Sequence, residues 1–304
     1  MTDLPPPAAT ADTIRHEFVT ANGLRLHLAR RGSGELILFL HGFPEFWYAW
    51  KDQLEEFGRD HLAVAPDLRG HNLSEGPTTL DGYRVPALIE DVRALAEQLN
   101  GGRPFVLVGH DWGGVIAWAF AIRHPELLRR LVIINAPHPA VFDRELDTNP
   151  AQQRASEYMN FFRSPQAEAG LSADGHAALR RIFGSLRAKG RFTDDDERAY
   201  VAAWSRPGSL TAGLNLYRAS RIGPPAAGQA RDKVVGLDGT TSIAVPTLVI
   251  WGEKDDALLT GNLVGLDRYV SQLTIERIPE GTHWVVHEFP GEVAARIRAF
   301  LKGR

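Results

Sequence analysis

The ten residues Phe105–Gly114, FVLVGHDWGG, constrain this chain's fold more than any other segment. FVLV is a continuous apolar run of the kind that forms a buried strand. Val115–Arg123 then reads as a helix that stops before His124-Pro125. Between them Gly109 and Gly113 flank Asp111 in a small–x–acid–x–small pattern. A sharp strand-to-helix turn brings backbones close together, and a Cβ at either glycine would clash. Such a turn lifts its middle side chain above the sheet, at the N-terminus of the helix that follows. A plainer reading makes Asp111 only the N-cap of that helix.

The first half of the chain alternates in the same way. His16–Thr20 and Leu24–Arg30 flank the turn signal Ala21-Asn22-Gly23. Glu35–Phe39 (ELILF) is a buried-strand run closed by His41-Gly42, and Leu62–Ala65 is the next strand. Between them Trp47, Trp50, Leu54 and Phe57 share one face of a helix over Trp47–Phe57. Pro86–Leu99 is amphipathic, with Pro86 suited to its first turn and Gly101-Gly102 to its stop. Leu131–Ile134 is another buried strand. This alternation implies a mostly parallel sheet covered by helices on both faces.

After Asn135-Ala136-Pro137-His138-Pro139 helical patterns take over: Asn149–Phe162, His176–Phe183, Thr193–Trp204 and Leu210–Arg218. Strands return at Thr247–Trp251 and Leu273–Ile278, and a helix over Pro290–Leu301 closes the chain. The expected organisation is a core formed by residues 14–138 and 245–304, a helical cap inserted at 139–244, and a loose tail at 1–13.

Composition narrows the function classes. The 304 residues are 44% hydrophobic and 23% charged, which suits a globular chain. A net charge of −3 supplies no basic field for nucleic acid. The absence of cysteine excludes disulfides and thiolate metal sites. The start, MTDLPPPAATADTIRHEF, lacks the basic and apolar stretches of a secretory signal. No segment offers the roughly 18 uncharged apolar residues of a membrane span. The expected location is therefore the cytoplasm.

Asp111 at the bend carries the chemistry. A carboxylate that attacks a tetrahedral carbon gives an alkyl ester, which water can cleave at the carboxyl carbon. A serine there would give an ether, beyond the reach of an activated water. The pattern therefore points to an epoxide, halide or similar electrophile. The water needs a base, and His283 in Gly281-Thr282-His283-Trp284 follows a strand, with His287, His110 and His41 competing among the 11 histidines. Trp251-Gly252-Glu253-Lys254-Asp255-Asp256 follows strand TLVIW, and Asp255, ahead of Asp256 and Glu253, is placed to orient that imidazole. The histidine and carboxylate spacings suggest no metal set.

Taken together, HGFPEFWYAW, GHDWGG and the order Asp111, Asp255, His283 resemble the α/β-hydrolase fold family, and within it the epoxide hydrolases. The resemblance implies an α/β-hydrolase fold with about eight strands, flanking helices and an inserted helical cap. It implies an oxyanion hole from the Phe43 and Trp112 N–H groups. EYMNFF and NLYR resemble the segments that bear the two lid tyrosines, which would be Tyr158 and Tyr217. Their phenol groups would polarise an epoxide oxygen and protonate the alkoxide. His41, Pro44, His110, Trp47 and Trp284 are candidate pocket residues.

The implied reaction converts a small apolar or aryl epoxide and water to a vicinal diol through a hydroxyalkyl ester on Asp111, with no cofactor and no metal. A homodimer is compatible with it. The same motifs are shared with haloalkane dehalogenases, and fluoroacetate dehalogenases resemble the chain overall. In that alternative an organohalide is the substrate, and Arg163 or Arg218 would hold a substrate carboxylate. A non-catalytic ligand-binding protein on this fold is a second alternative, opposed by the intact Asp111, Asp255 and His283.

Overall fold

The computed structural model describes residues 13–220, 223–224 and 242–303. The expected tail at 1–13 lies outside these residues apart from Thr13. The described residues begin with an antiparallel hairpin, β1 (Arg15–Ala21) and β2 (Leu24–Arg31). Its two-residue turn has Asn22 and Gly23 both at positive φ, 50° and 75°, a twist that matches the flanking strands. There follow β3 (Leu36–Leu40), α1 (Lys51–Phe57), β4 (Leu62–Pro66), α2 (Val85–Asn100), β5 (Phe105–His110), α3 (Trp112–Arg123) and β6 (Leu128–Ile134).

Between β6 and the next described strand lie α4 (Pro139–Thr148), α5 (Pro150–Ala155), α6 (Tyr158–Arg163), α7 (Ala167–Ile182), α8 (Gly184–Ala188), α9 (Asp194–Trp204) and α10 (Ser209–Ser220). Then come β7 (Thr247–Gly252), β8 (Leu273–Ile278), α11 (Val285–Glu288) and α12 (Pro290–Lys302).

The eight strands form one sheet in the order β1-β2-β4-β3-β5-β6-β7-β8. From β4 to β8 every pairing is parallel; β2 runs antiparallel to both its neighbours. The central strands are apolar on both sides because both sides are covered. Leu36, Leu38 and Leu40 face Ile116, Trp118 and Phe120 of α3 together with Val92 and Leu95 of α2. Ile37 and Phe39 face Leu54 and Phe57 of α1 with Val293 and Ile297 of α12. Parallel strands bring their C-terminal ends to one edge, where an α/β sheet presents its ligand site. The loops after β3, β5, β6, β7 and β8 all open there.

Four local expectations are corrected. The helix expected over 149–162 is broken, because Asn149 ends α4 and caps α5, and Pro150 cannot continue α4 but suits a first turn. Ser156 and Glu157 then separate α5 from α6. The helix expected from His176 begins earlier, at Ala167, and is interrupted where Asp174, Gly175 and His176 are all left-handed. The helix expected from Val115 begins at Trp112, with its first turn pressed onto β3. Trp47–Trp50 is a tighter 3-10 turn that leads into α1. Among the described residues no helix is long and apolar enough to cross a membrane.

Candidate active site

Asp111 has φ 51° and ψ −122°, a conformation that non-glycine residues rarely adopt and that turns β5 sharply into α3. Glycines permit the approach. A Cβ on Gly109 would strike the Gly113 carbonyl, and one on Gly113 would strike the Leu40 carbonyl. Asp111 occupies the N-cap position, yet its side chain makes no capping hydrogen bond. Instead its Oδ1 accepts the Phe43 N–H at 2.8 Å, and its Oδ2 lies 3.6 Å from His283 Nε2. A Cβ on Gly42 would overlap that carboxylate, so this loop position has to stay bare.

His283 follows β8, and its Nδ1 lies 2.8 Å from Asp255 Oδ2. Asp255 is saturated: Oδ2 also accepts Asn135 Nδ2 at 2.7 Å, and Oδ1 accepts the Ala257 and Leu258 N–H groups at 2.9 and 2.8 Å. Burial alone would push the His283 imidazole down, but the Asp255 and Asp111 carboxylates on either side outweigh it. The ring therefore titrates well above its ordinary range.

Tyr158 opens α6 and Tyr217 sits on α10, their rings 6.4 Å apart. Tyr217 packs edge-on against Trp112 at 5.0 Å and against Phe162 at 5.1 Å. Burial, reinforced by the Asp111 charge, holds both phenols well above the usual tyrosine range, so they are neutral donors. Asp111, Tyr158 and Tyr217 stand where two lobes of one cleft meet. The inner lobe, walled by Pro137, Phe142, Met159 and Leu258, has about 30 Å³ of free space. The outer lobe, walled by Phe162, Leu171, Ile182 and Trp284, has about 630 Å³.

A second polar cluster lies behind His283. Glu45 is buried, with Oε2 3.0 Å from His110 Nδ1 and Oε1 2.6 Å from His287 Nε2. Burial would raise the Glu45 carboxyl, but the two imidazoles outweigh it and hold it well below its usual range. His110 Nε2 lies 2.8 Å from the His283 carbonyl oxygen, so this cluster fixes the backbone that carries the imidazole.

Comparison with known proteins agrees with this architecture. The pattern of the α/β hydrolase fold family matches residues 35–290. Epoxide hydrolase 4 of Mus musculus is 37% identical over 98% of this chain and 83% of its own. The AB hydrolase superfamily protein YfhM of Bacillus subtilis is 36% identical, covering 96% of this chain and 100% of its own. The crystal structure of an epoxide hydrolase from Bacillus megaterium has a TM-score of 0.89 at 39% identity, over 94% of this chain and 100% of that one. The chain belongs to the α/β-hydrolase fold family, among its epoxide hydrolases.

Within that family frame, Asp111, His283, Tyr158, Tyr217, Phe43, Pro44 and Trp284 line the cleft, and Asp255 stands directly behind His283. Trp112 lines the inner lobe and opens α3, where a first-turn N–H has no acceptor within the helix. Three expected pocket residues lie elsewhere. Trp47 packs on His16 and His27 of the first hairpin. His41 is buried in its own loop, 2.8 Å from the Gly42 carbonyl through Nδ1 and accepting the Leu68 N–H through Nε2. His110 supports His283 from behind.

The competing acids separate too, with Glu253 paired to Arg277 and Asp256 exposed at the cleft. Arg163 binds Asn160 and the Pro224 carbonyl, and Arg218 binds Glu168 and the Ser164 carbonyl. Neither lines the cleft. Among the described residues no group of three or more histidine or acidic side chains could hold a metal ion. The sequence reading missed Asn135 and Glu45. Glu45 stands inside the HGFPEF motif, and a carboxylate in a loop destined for burial was its one visible signal.

Proposed function

We propose that this protein hydrolyses epoxides to vicinal diols through a covalent ester on Asp111. The observation that carries the reading is the meeting of Asp111 and His283 with two neutral phenols in one cleft. Tyr158 and Tyr217 hold the epoxide oxygen. Asp111 Oδ2, the oxygen not held by Phe43, attacks a ring carbon; that C–O bond breaks, and the alkoxide takes a phenol proton. Esterification removes the Asp111 charge, one of the two that hold the proton on His283. The imidazole then returns a proton to the phenolate and becomes a base.

Oriented by Asp255, neutral His283 takes a proton from water, and the oxygen of that water attacks the Asp111 carboxyl carbon. The Phe43 and Trp112 N–H groups hold the oxyanion. When the ester bond breaks, the departing diol oxygen takes the His283 proton. The new Asp111 carboxyl passes its own proton to His283, which restores the starting state.

The unequal lobes favour an epoxide with one compact end and one large apolar arm. A mutant of the B. megaterium enzyme, 38% identical to this chain, was solved with a naphthyloxy-propanediol product, a molecule of that shape. The described residues of 139–244 act as the cap over a core of 14–138 and 245–303, and the cap contributes both tyrosines; residues 221–222 and 225–241 of the expected cap lie outside the described residues. The dehalogenase alternative loses its candidate carboxylate ligands, since Arg163 and Arg218 are engaged away from the cleft. A side-by-side assay tests the reading: diol release from styrene oxide, with halide release from haloalkanes and fluoroacetate at background. Halide release without diol would overturn it, and no turnover of either class would favour the binding-protein alternative.

A further inference from the structure

Gln152 is a cap residue, on α5, that is completely buried and uses every hydrogen-bonding valence it has. Its Nε2 donates to the Ala257 carbonyl at 2.8 Å and to Ser156 Oγ at 2.9 Å. Its Oε1 accepts the Leu259 N–H at 2.9 Å and Asn262 Nδ2 at 2.8 Å. The amide thus pairs with the carbonyl of residue 257 and the N–H of residue 259 as a neighbouring strand would. Burying an amide is costly unless all its bonds are made, and here three of the four are made to one short loop, Ala257–Asn262.

That loop carries the acid of the triad. The N–H groups of Ala257 and Leu258 hold Asp255 Oδ1, leaving Oδ2 to face His283 Nδ1. Residues 257–259 are therefore gripped by Asp255 through two N–H groups and by Gln152 through the adjoining carbonyl and N–H. Farther along, Arg144 holds the Gly261 and Val264 carbonyls independently, so loss of Gln152 leaves the rest of the loop tied down.

We propose that Gln152 is a positioning residue for the hydrolytic half of the reaction: it fixes the 257–259 backbone that aims Asp255 at His283. This rests on the two-step reading given above. Alkylation uses Asp111, Phe43 and the two phenols, none of which Gln152 touches. Ester hydrolysis uses the Asp255–His283 pair. Leu258 and Ala257 also wall the cleft, so loosening the loop weakens epoxide binding as well; at saturating epoxide it should slow the second step and spare the first, a separation that a general loss of stability would not produce.

The test is single-turnover quench-flow with styrene oxide, following the covalent enzyme by intact mass. In Gln152→Leu the ester should form within about twofold of the wild-type rate and decay about 10- to 100-fold more slowly, the scale of a misplaced catalytic group. Gln152→Met, unbranched and of similar volume, removes the same hydrogen bonds without burying a charge; it should slow the same step and keeps the test open if the leucine variant does not fold. Unchanged decay in both variants, or equal slowing of formation and decay, would overturn the proposal. Asp255→Asn is the control. If it stalls hydrolysis while the Gln152 variants do not, only the role of Gln152 falls. If its ester too decays normally, the Asp255–His283 assignment of the proposed function is at fault; if no ester forms in the wild type, the two-step reading itself is.

Discussion

Removing one phenol oxygen isolates the first chemical step. Tyr217 is 2% exposed, and its ring is packed by Phe43, Trp112 and Phe162 at centroid distances of 6.0, 5.0 and 5.1 Å. Phenylalanine keeps that ring in place, so Tyr217→Phe deletes the hydroxyl, with its bonds to Tyr158 and the Trp112 side chain, without removing the ring. In the proposed reaction each phenol gives one hydrogen bond to an oxygen that is becoming an alkoxide. A hydrogen bond to a charged group contributes about 1.5–3 kcal/mol, and about 1.4 kcal/mol changes a rate tenfold.

Alkylation should therefore slow about 10- to 100-fold in Tyr217→Phe, and by a similar factor in Tyr158→Phe. In the double variant the loss should reach about 10²- to 10⁴-fold. Stopped-flow tryptophan fluorescence with styrene oxide reads this step directly, because Trp112 and Trp284 line the cleft. Decay of the ester should be unchanged, since it draws on His283 and the two backbone donors. Full-speed alkylation in the double variant, or slowed decay with normal alkylation, would exclude the phenols as donors to the epoxide oxygen.

Other consequences are equally open to measurement. His283→Gln should alkylate but not turn over, so a mass increment should persist on the Asp111 peptide; loss of that increment with continued turnover would count against His283 as the base. The inner lobe, at about 30 Å³, is far below the roughly 150 Å³ of a cavity that binds benzene. Forcing a second ring into it should cost about 1–3 kcal/mol, so kcat/KM for trans-stilbene oxide should fall about 10- to 100-fold below that for styrene oxide.

Stability should depend on His138, which burial pushes from 6.5 down to about 4. Neither of its ring nitrogens has a hydrogen-bond partner among the described residues. The folded protein keeps this ring neutral where the unfolded chain would protonate it. Its contribution is thus complete above pH 6.5 and falls away toward pH 4, by roughly 3 kcal/mol. His138→Phe, able to keep the stack on Tyr269, should flatten the acid limb of the denaturation midpoint, and an unaltered limb would exclude His138 as a contributor.

The parts of the molecule legible in the sequence are those whose physics is local. The β3, β5 and β7 runs are apolar because both faces of the sheet are covered, and a buried strand shows that within five or six residues. The elbow shows in Gly109, Asp111 and Gly113 because close backbone approach admits little besides glycine. Asp255 and His283 are legible as candidates because each follows a strand. Asn135 is not, since an amide has no chemistry of its own to advertise. Its role arises only when β6 and β7 stand side by side and bring it to Asp255.

Glu45 depends on His110, 65 residues away, and His287, 242 residues away, a meeting no spacing rule anticipates. Trp47 was misplaced for the converse reason. An aromatic beside a motif loop suggested the pocket, but the antiparallel hairpin closes over it. Helix limits in the cap were blurred because Asn149-Pro150 ends one helix and starts another without a break in the apolar period.

The proposed reaction requires the carboxylate of Asp111 to be alkylated itself and then regenerated by water. One enzyme turnover in oxygen-18 water, followed by digestion and mass analysis of the peptide spanning residues 105–123, tests it most directly. The isotope is expected in that peptide, with the diol formed in the first cycle retaining only ordinary oxygen. Isotope in the first-cycle diol and none in the peptide would mean that water attacks the epoxide directly, and would exclude the Asp111 ester.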